Sequence, residues 1–240
     1  MEKDSNNDHT DCDVDYGEND INFKIIVVGD SGVGKTSITS NAIRKIFEEQ
    51  YSPTLGFEFY TYNTKIEDKT IKLQIWDTCG QEAYKSLICS FYRNASLAIL
   101  VYSIDSLGSF ESIKNWINEI KKESNPDIIM VLIGNKIDLE DEGKREVTKE
   151  MGEQFSKDNK FSFFLETSAK NSINTENLFN ESAQILYKKY KEVKEIKEMK
   201  NLNIDLLYQP QNPDTISLVS SKTSKDTKRK KCFCLIIFIF

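Results

Sequence analysis

The 240-residue chain lacks most of the features that would place it outside the cell or across a bilayer. Its five cysteines, Cys12, Cys79, Cys89, Cys232 and Cys234, do not have the spacing of a structural metal site. No apolar run approaches the roughly 20 residues that a membrane-spanning helix needs. The first residues contain no secretory apolar core, and Glu2 stands where N-myristoylation requires glycine. There are no internal repeats. These absences make a reducing, cytosolic setting the default expectation.

What is present describes a globular protein. Hydrophobic residues make up 39% of the chain and charged residues 29%, enough for one ordinary domain with tails. The formal charge of -6 is unevenly spread. Eight acids against Lys3 give residues 1–20 a charge of -7, and six basic residues against Asp226 give residues 222–231 a charge of +5. Residues 21–221 therefore sum to -4. Three regions are expected: an acidic extension over 1–20, disordered for want of apolar residues; a folded domain over 21–195; and a flexible basic tail over 196–240. The tail ends in Cys232-Phe233-Cys234 and an apolar tip, Leu235 to Phe240.

Within the domain, short continuous apolar segments at 23–28, 97–102, 128–133 and 161–165 read as strands covered on both faces. Segments 57–66 and 70–76 flank the polar turn Glu67-Asp68-Lys69 and read as a hairpin. Helical spacing puts Phe110, Ile113, Ile117 and Ile120 on one face, and Phe179, Ala183, Leu186 and Tyr190 on another. Strand-helix alternation predicts an α/β fold, a six-stranded, mostly parallel sheet with one antiparallel edge strand and helices on both faces. Ligands in such sheets sit at the carboxyl ends of the strands, where the polar motifs fall.

The first motif, Gly29-Asp30-Ser31-Gly32-Val33-Gly34-Lys35-Thr36, fits G-x-x-x-x-G-K-[ST] between a strand and a helix. Its glycines let backbone N–H groups curl around phosphate, joined by the helix N-terminus, so Ser31, Gly32, Val33, Gly34, Lys35, Thr36 and Ser37 are candidate phosphate contacts. Lys35 would reach the β- and γ-phosphates, and the Thr36 hydroxyl would ligate Mg²⁺. The second motif, Asp77-Thr78-Cys79-Gly80-Gln81, offers Asp77 to Mg²⁺, the Gly80 N–H to a γ-phosphate, and Gln81 as the catalytic residue that orients water. In Asn135-Lys136-Ile137-Asp138, Asp138 can accept from both N–H donors on the guanine edge, which adenine lacks. Thr167-Ser168-Ala169-Lys170 would supply the Ala169 N–H to guanine O6, with the stems of Lys136 and Lys170 covering the base. Thr54, bracketed by Pro53 and Gly56, could close on Mg²⁺ only when γ-phosphate is bound.

These motifs, in order and in spacing, resemble the Ras superfamily of small GTPases over roughly residues 21–195. Leu73-Gln74-Ile75-Trp76-Asp77-Thr78 and Phe91-Tyr92-Arg93-Asn94-Ala95 resemble the Rab family within it. The resemblance implies that Phe59, Trp76 and Phe91 form an aromatic surface for effectors and that Phe47 packs against guanine. It implies a pair of lipid-bearing cysteines at Cys232 and Cys234; because six apolar residues follow them, the alternatives are insertion of that tip into a membrane beside palmitoylated cysteines and a misread frame at this end. Cys79, Ala83, Tyr84 and Asn94 depart from the usual Rab residues, which bears on recognition by regulators.

The expectation is a Rab-type GTP/GDP switch that hydrolyses GTP slowly until a partner supplies an arginine. It would act as a monomer in vesicle traffic, between the cytosol and the cytosolic face of a Golgi or endosomal membrane. Its partners would be exchange factors, GTPase-activating proteins, effectors and membrane, not nucleic acid. The alternatives are a Ras- or Rho-type signalling GTPase, a GTP-binding module with little hydrolysis, and an ATP-using P-loop enzyme.

Overall fold

The computed structural model describes residues 20–48, 54, 56–79 and 92–207, with side chains as far as Met199. The chain divides into one compact unit ending at Glu195 and another beginning at Ile196. Gly80, Gln81, Phe91, Cys232 and Cys234, residues 1–19 of the acidic extension and residues 208–240 of the tail lie outside the described residues; residues 196–207, expected to begin a flexible tail, are helical.

Six strands form one sheet: β1 (Asp20–Val28), β2 (Phe57–Ile66), β3 (Lys69–Thr78), β4 (Leu97–Ser103), β5 (Ile129–Asn135) and β6 (Phe164–Thr167). Their order across the sheet is β2-β3-β1-β4-β5-β6, and only β2 runs antiparallel to its neighbour. The helices are α1 (Lys35–Arg44), α2 (Leu107–Glu111), α3 (Ile113–Glu123), α4 (Lys149–Asp158) and α5 (Thr175–Leu207). Central β4 is buried at every position, as a strand covered on both faces must be.

Alternation along the strands divides the apolar residues into two cores. On one face Ile25, Leu73, Ile75, Ile99 and Val131 pack with Ile38 of α1 and Phe179, Ala183 and Leu186 of α5. On the other, Ile26, Leu100, Tyr102 and Leu132 pack with Phe110, Ile113, Ile117 and Ile120. The predicted face from Phe110 to Ile120 is buried, but Ser112 interrupts the helix between α2 and α3. Tyr190 departs from the expected core stripe. It is 40% exposed and meets Phe23 edge-to-face, while Tyr187 takes the buried position.

Three edges fall elsewhere than the composition suggests. Asp20, the last acid of the acidic stretch, is the first residue of β1 and pairs with Thr70. Lys69 belongs to β3, opposite Ile66, because Glu67 takes the left-handed conformation (φ 53°) and closes the turn in two residues. Phe161 to Phe163 precede β6 instead of forming its start; Phe161 is buried without joining the ladder. Among the described residues, no helix is long and apolar enough to cross a membrane.

Candidate nucleotide and metal site

The loop between β1 and α1 is built for close backbone approach. Gly29, Gly32 and Gly34 all take positive φ. A side chain at Gly29 would place Cβ 2.1 Å from the Val101 carbonyl oxygen, and one at Gly34 would place it 2.3 Å from Asn135 Nδ2. The α2 and α4 N-termini are closed by Ser106 and Thr148 side chains, each accepting a first-turn N–H. The α1 N-terminus has Gly34 as its cap, so no cap side chain competes with a ligand for its first-turn donors. Ser31 and Gly32 are exposed, Val33 is buried, and Thr36 and Ser37 are half-buried in that first turn.

Lys35 is 6% exposed, and its Nζ donates to the Gly29 and Asp30 carbonyls at 2.8 Å each. Burial pulls its pKa down to about 8, against the opposing pull of Asp77 and Asp30. Across the loop, Thr36 Oγ1 donates to Asp77 Oδ2 at 2.5 Å and lies 2.8 Å from Thr54 Oγ1. Thr54 is thus brought to the phosphate loop from 18 residues away. Asp77 is fully buried, and burial raises its pKa to about 7 despite the Thr36 hydrogen bond and the Lys35 charge. Its other oxygen, Oδ1, has no hydrogen-bond partner among the described residues.

A buried carboxylate with one free oxygen, beside two hydroxyls, fits a hard cation. Among the described residues no cluster of three His, Cys, Asp or Glu side chains exists, so a transition-metal cage is not formed there. One carboxylate and two hydroxyls instead suit Mg²⁺, which keeps much of its water shell and shares its remaining positions with phosphate oxygens. Thr36, Thr54 and Asp77 are the residues that would hold it.

The third and fourth motifs meet at the carboxyl ends of β5 and β6. Asn135 is buried; its Nδ2 donates to Val33 O at 2.9 Å, and its Oδ1 accepts from Thr167 Oγ1 at 3.0 Å. This one side chain ties the phosphate loop to both strands. Ser168 Oγ donates to Asp138 Oδ1 at 2.5 Å and accepts from the Asn171 N–H at 3.0 Å, which fixes the carboxylate's orientation. Ala169 is buried, Lys170 is exposed, and Lys136 is half-buried with φ 69°. Phe47 is half-buried and packs on the core that contains α1 and α5. Phe59 is 49% exposed and meets Trp76 edge-to-face at 5.3 Å; exposed Phe57 lies at the same centroid distance.

Several supports lie outside the motifs. Buried Asn41 on α1 donates to Ser172 Oγ at 2.9 Å and accepts from Thr175 Oγ1 at 2.7 Å. It therefore fastens α1 to the loop that follows Ala169. Its sequence signal was a polar residue beside Ala42 on the helix face that Ile38 buries. Trp116 Nε1 holds Asp30 Oδ1 at 2.8 Å from 86 residues away, a pairing with no local signal.

A sequence profile of the Ras family matches residues 24–188. The chain is 41% identical over 168 residues to the Ras-related protein RHN1 of Nicotiana plumbaginifolia, and equally to the Ras-related protein Rab5 of Nicotiana tabacum. Both matches cover 70% of this chain and 82% of the relative. It is 40% identical over 170 residues to the Ras-related protein RABF2a of Arabidopsis thaliana, covering 71% and 84%.

Proposed function

This chain belongs to the Ras family and is a Rab-type small GTPase, and on that premise we propose the part each residue plays in its switch. The protein binds GTP and hydrolyses it to GDP and phosphate, in the service of membrane traffic. The folded domain, 21–195, carries that chemistry, and 196–240 carries the membrane attachment.

The observation that carries the assignment is the convergence of Thr36, Thr54 and the free oxygen of Asp77 beside an uncapped α1 N-terminus. Ser31, Gly32, Val33, Gly34 and Ser37 wrap the phosphates with backbone and hydroxyl donors. Lys35 exchanges its loop carbonyls for phosphate oxygens, which restores a partner of opposite charge to a buried ammonium. Family members use Mg²⁺; Thr36, Thr54 and Asp77 would hold it, and when bound it would neutralise negative charge on the phosphates. Asn135 sets the distance between phosphate loop and base site, Asp138 and Ala169 read guanine, Ser168 orients Asp138, and Lys136, Lys170 and Phe47 cover the base and sugar.

Thr54 and Gly80 register the γ-phosphate, so its loss releases the loops they belong to. Gln81 orients the attacking water. No arginine stands in the motifs, so intrinsic turnover is slow, and an arginine supplied by a partner accelerates it by up to roughly 10⁵-fold. Exchange factors, GTPase-activating proteins and effectors read the loops and the surface of Phe59, Trp76 and Phe91. The protein works as a monomer. Lipid on Cys232 and Cys234, with six basic residues worth about 1 kcal/mol each at an anionic surface, holds it on the cytosolic face of a Golgi or endosomal membrane.

Single-turnover hydrolysis of bound GTP tests the switch. Gln81→Leu is expected to slow it at least about tenfold with unchanged GTP affinity. An unchanged rate removes Gln81 from its role.

A further inference from the structure

The strand register sorts side chains onto a sheet face that looks away from α1 and α5. Lys65 is level with Asp20, Lys72 with Asn22 and Asn63, and Trp76 with Phe59. Lys24 stands one row before Trp76, its Nζ 5.1 Å above that ring and donating to the Arg93 carbonyl at 3.0 Å. Phe59, Lys65 and Arg93 are exposed, and Lys24 and Lys72 half-buried. Helices α2 and α3 pack on β4, and α4 packs on β5 and β6, while Asn63 and Lys65 on this face are exposed. Along β1, β2 and β3 the only acid on this face is Asp20; Glu58 points to the opposite side, where it accepts from Tyr60. A cationic strip ending in two aromatic rings thus lies on a domain whose sequence is net acidic.

The chain enters the fold at Asp20, on the edge of this same face, and 19 residues precede it. They carry seven acids against Lys3, a net charge of -6. From the row of Asp20 to that of Trp76 is about 20 Å at roughly 3.3 Å per strand residue. Nineteen residues can extend about 60 Å, enough to reverse direction and run the length of the strip. Tethering at its end gives such a segment a local concentration on the order of millimolar, which a free acidic peptide does not have. The basic run 222–231 has the wrong sign for this face.

We propose that residues 1–19 dock in cis on the strip formed by Lys24, Lys65 and Lys72, whose Lys24 end meets the Arg93 backbone. Docked there, the segment lies beside Phe59 and Trp76, so a partner that reads those rings must displace it. That consequence rests on the effector surface proposed above; the docking itself requires no nucleotide and is tested independently.

The test compares the full chain with a variant whose leader acids are neutralised: Glu2→Gln, Asp4→Asn, Asp8→Asn, Asp11→Asn, Asp13→Asn, Asp15→Asn and Glu18→Gln. An amine-acylating reagent labels both proteins, and mass spectrometry reads the rate at each lysine, with Lys149 and Lys157 on α4 as controls. Lys65 and Lys72 are expected to react about threefold or more faster in the variant. The unmodified chain should rise to the same rate in 1 M salt, where the screening length is about 3 Å. The controls should not change, and protection should be independent of protein concentration. Equal rates in the two proteins overturn the proposal. So does protection that grows with concentration, which marks a second copy, or protection that disappears when residues 222–240 are removed.

Discussion

Asp77→Asn should stabilise the protein when nucleotide and metal are removed, and the gain should depend on pH. Asp77 is fully buried, and burial raises its carboxyl from 3.8 to about 7. The folded protein therefore keeps a proton that the unfolded chain has lost, across about three pH units. Wild-type stability falls as pH rises through that window, by about 1.4 kcal/mol per unit. Asn has nothing to ionise. The difference should thus be small near pH 4, grow to as much as about 4 kcal/mol at pH 7, and stay level above that. Urea unfolding in the presence of a chelator, from pH 4.5 to 8, measures it. With GTP and Mg²⁺ in excess the order should reverse, because Asn supplies no anionic oxygen to the cation. An Asn variant that is less stable at pH 7 without ligand, or whose advantage does not change with pH, would refute the reasoning.

Gly34→Ala should lower GTP affinity at least about 100-fold, since its Cβ would fall 2.3 Å from Asn135 Nδ2 at a backbone φ of 95°; calorimetric titration with GTP checks this, and unaltered affinity contradicts it. Asn41→Ala leaves the buried Thr175 hydroxyl without its acceptor and frees the loop after Ala169 from α1. It should cost about 1–3 kcal/mol in unfolding experiments and speed GDP release about tenfold in a stopped-flow assay.

How much was legible in the sequence follows from distance along the chain. The phosphate loop and the residues around Asp138 are contiguous, and their backbone demands, Gly34 above all, are written in neighbouring residues. The two cores were legible because period-2 and period-3.6 patterns report burial directly. The same patterns mislead where burial and hydrogen bonding part company: Phe161 is buried beside the sheet without joining it, and Tyr190 continues an apolar period but is 40% exposed. Lys69 looked like turn because it is polar, yet the turn closes at Glu67 by its φ of 53°. The links that organise the site, Asn41 to Thr175 and Trp116 to Asp30, join residues 134 and 86 positions apart. Nothing local specifies such pairs; only the packed fold brings them together.

The central claim is that the Asp138 carboxylate, held by Ser168, makes this a guanine site. Displacement of a fluorescent GDP analogue by GTP and by ATP, on the full chain with Mg²⁺ and again on Asp138→Ala, tests it most directly. The account predicts that GTP displaces the probe at least about 10³-fold better than ATP, and that Asp138→Ala removes most of that preference. Equal displacement by ATP on the unmodified chain, or a preference that survives the loss of Asp138, would contradict it.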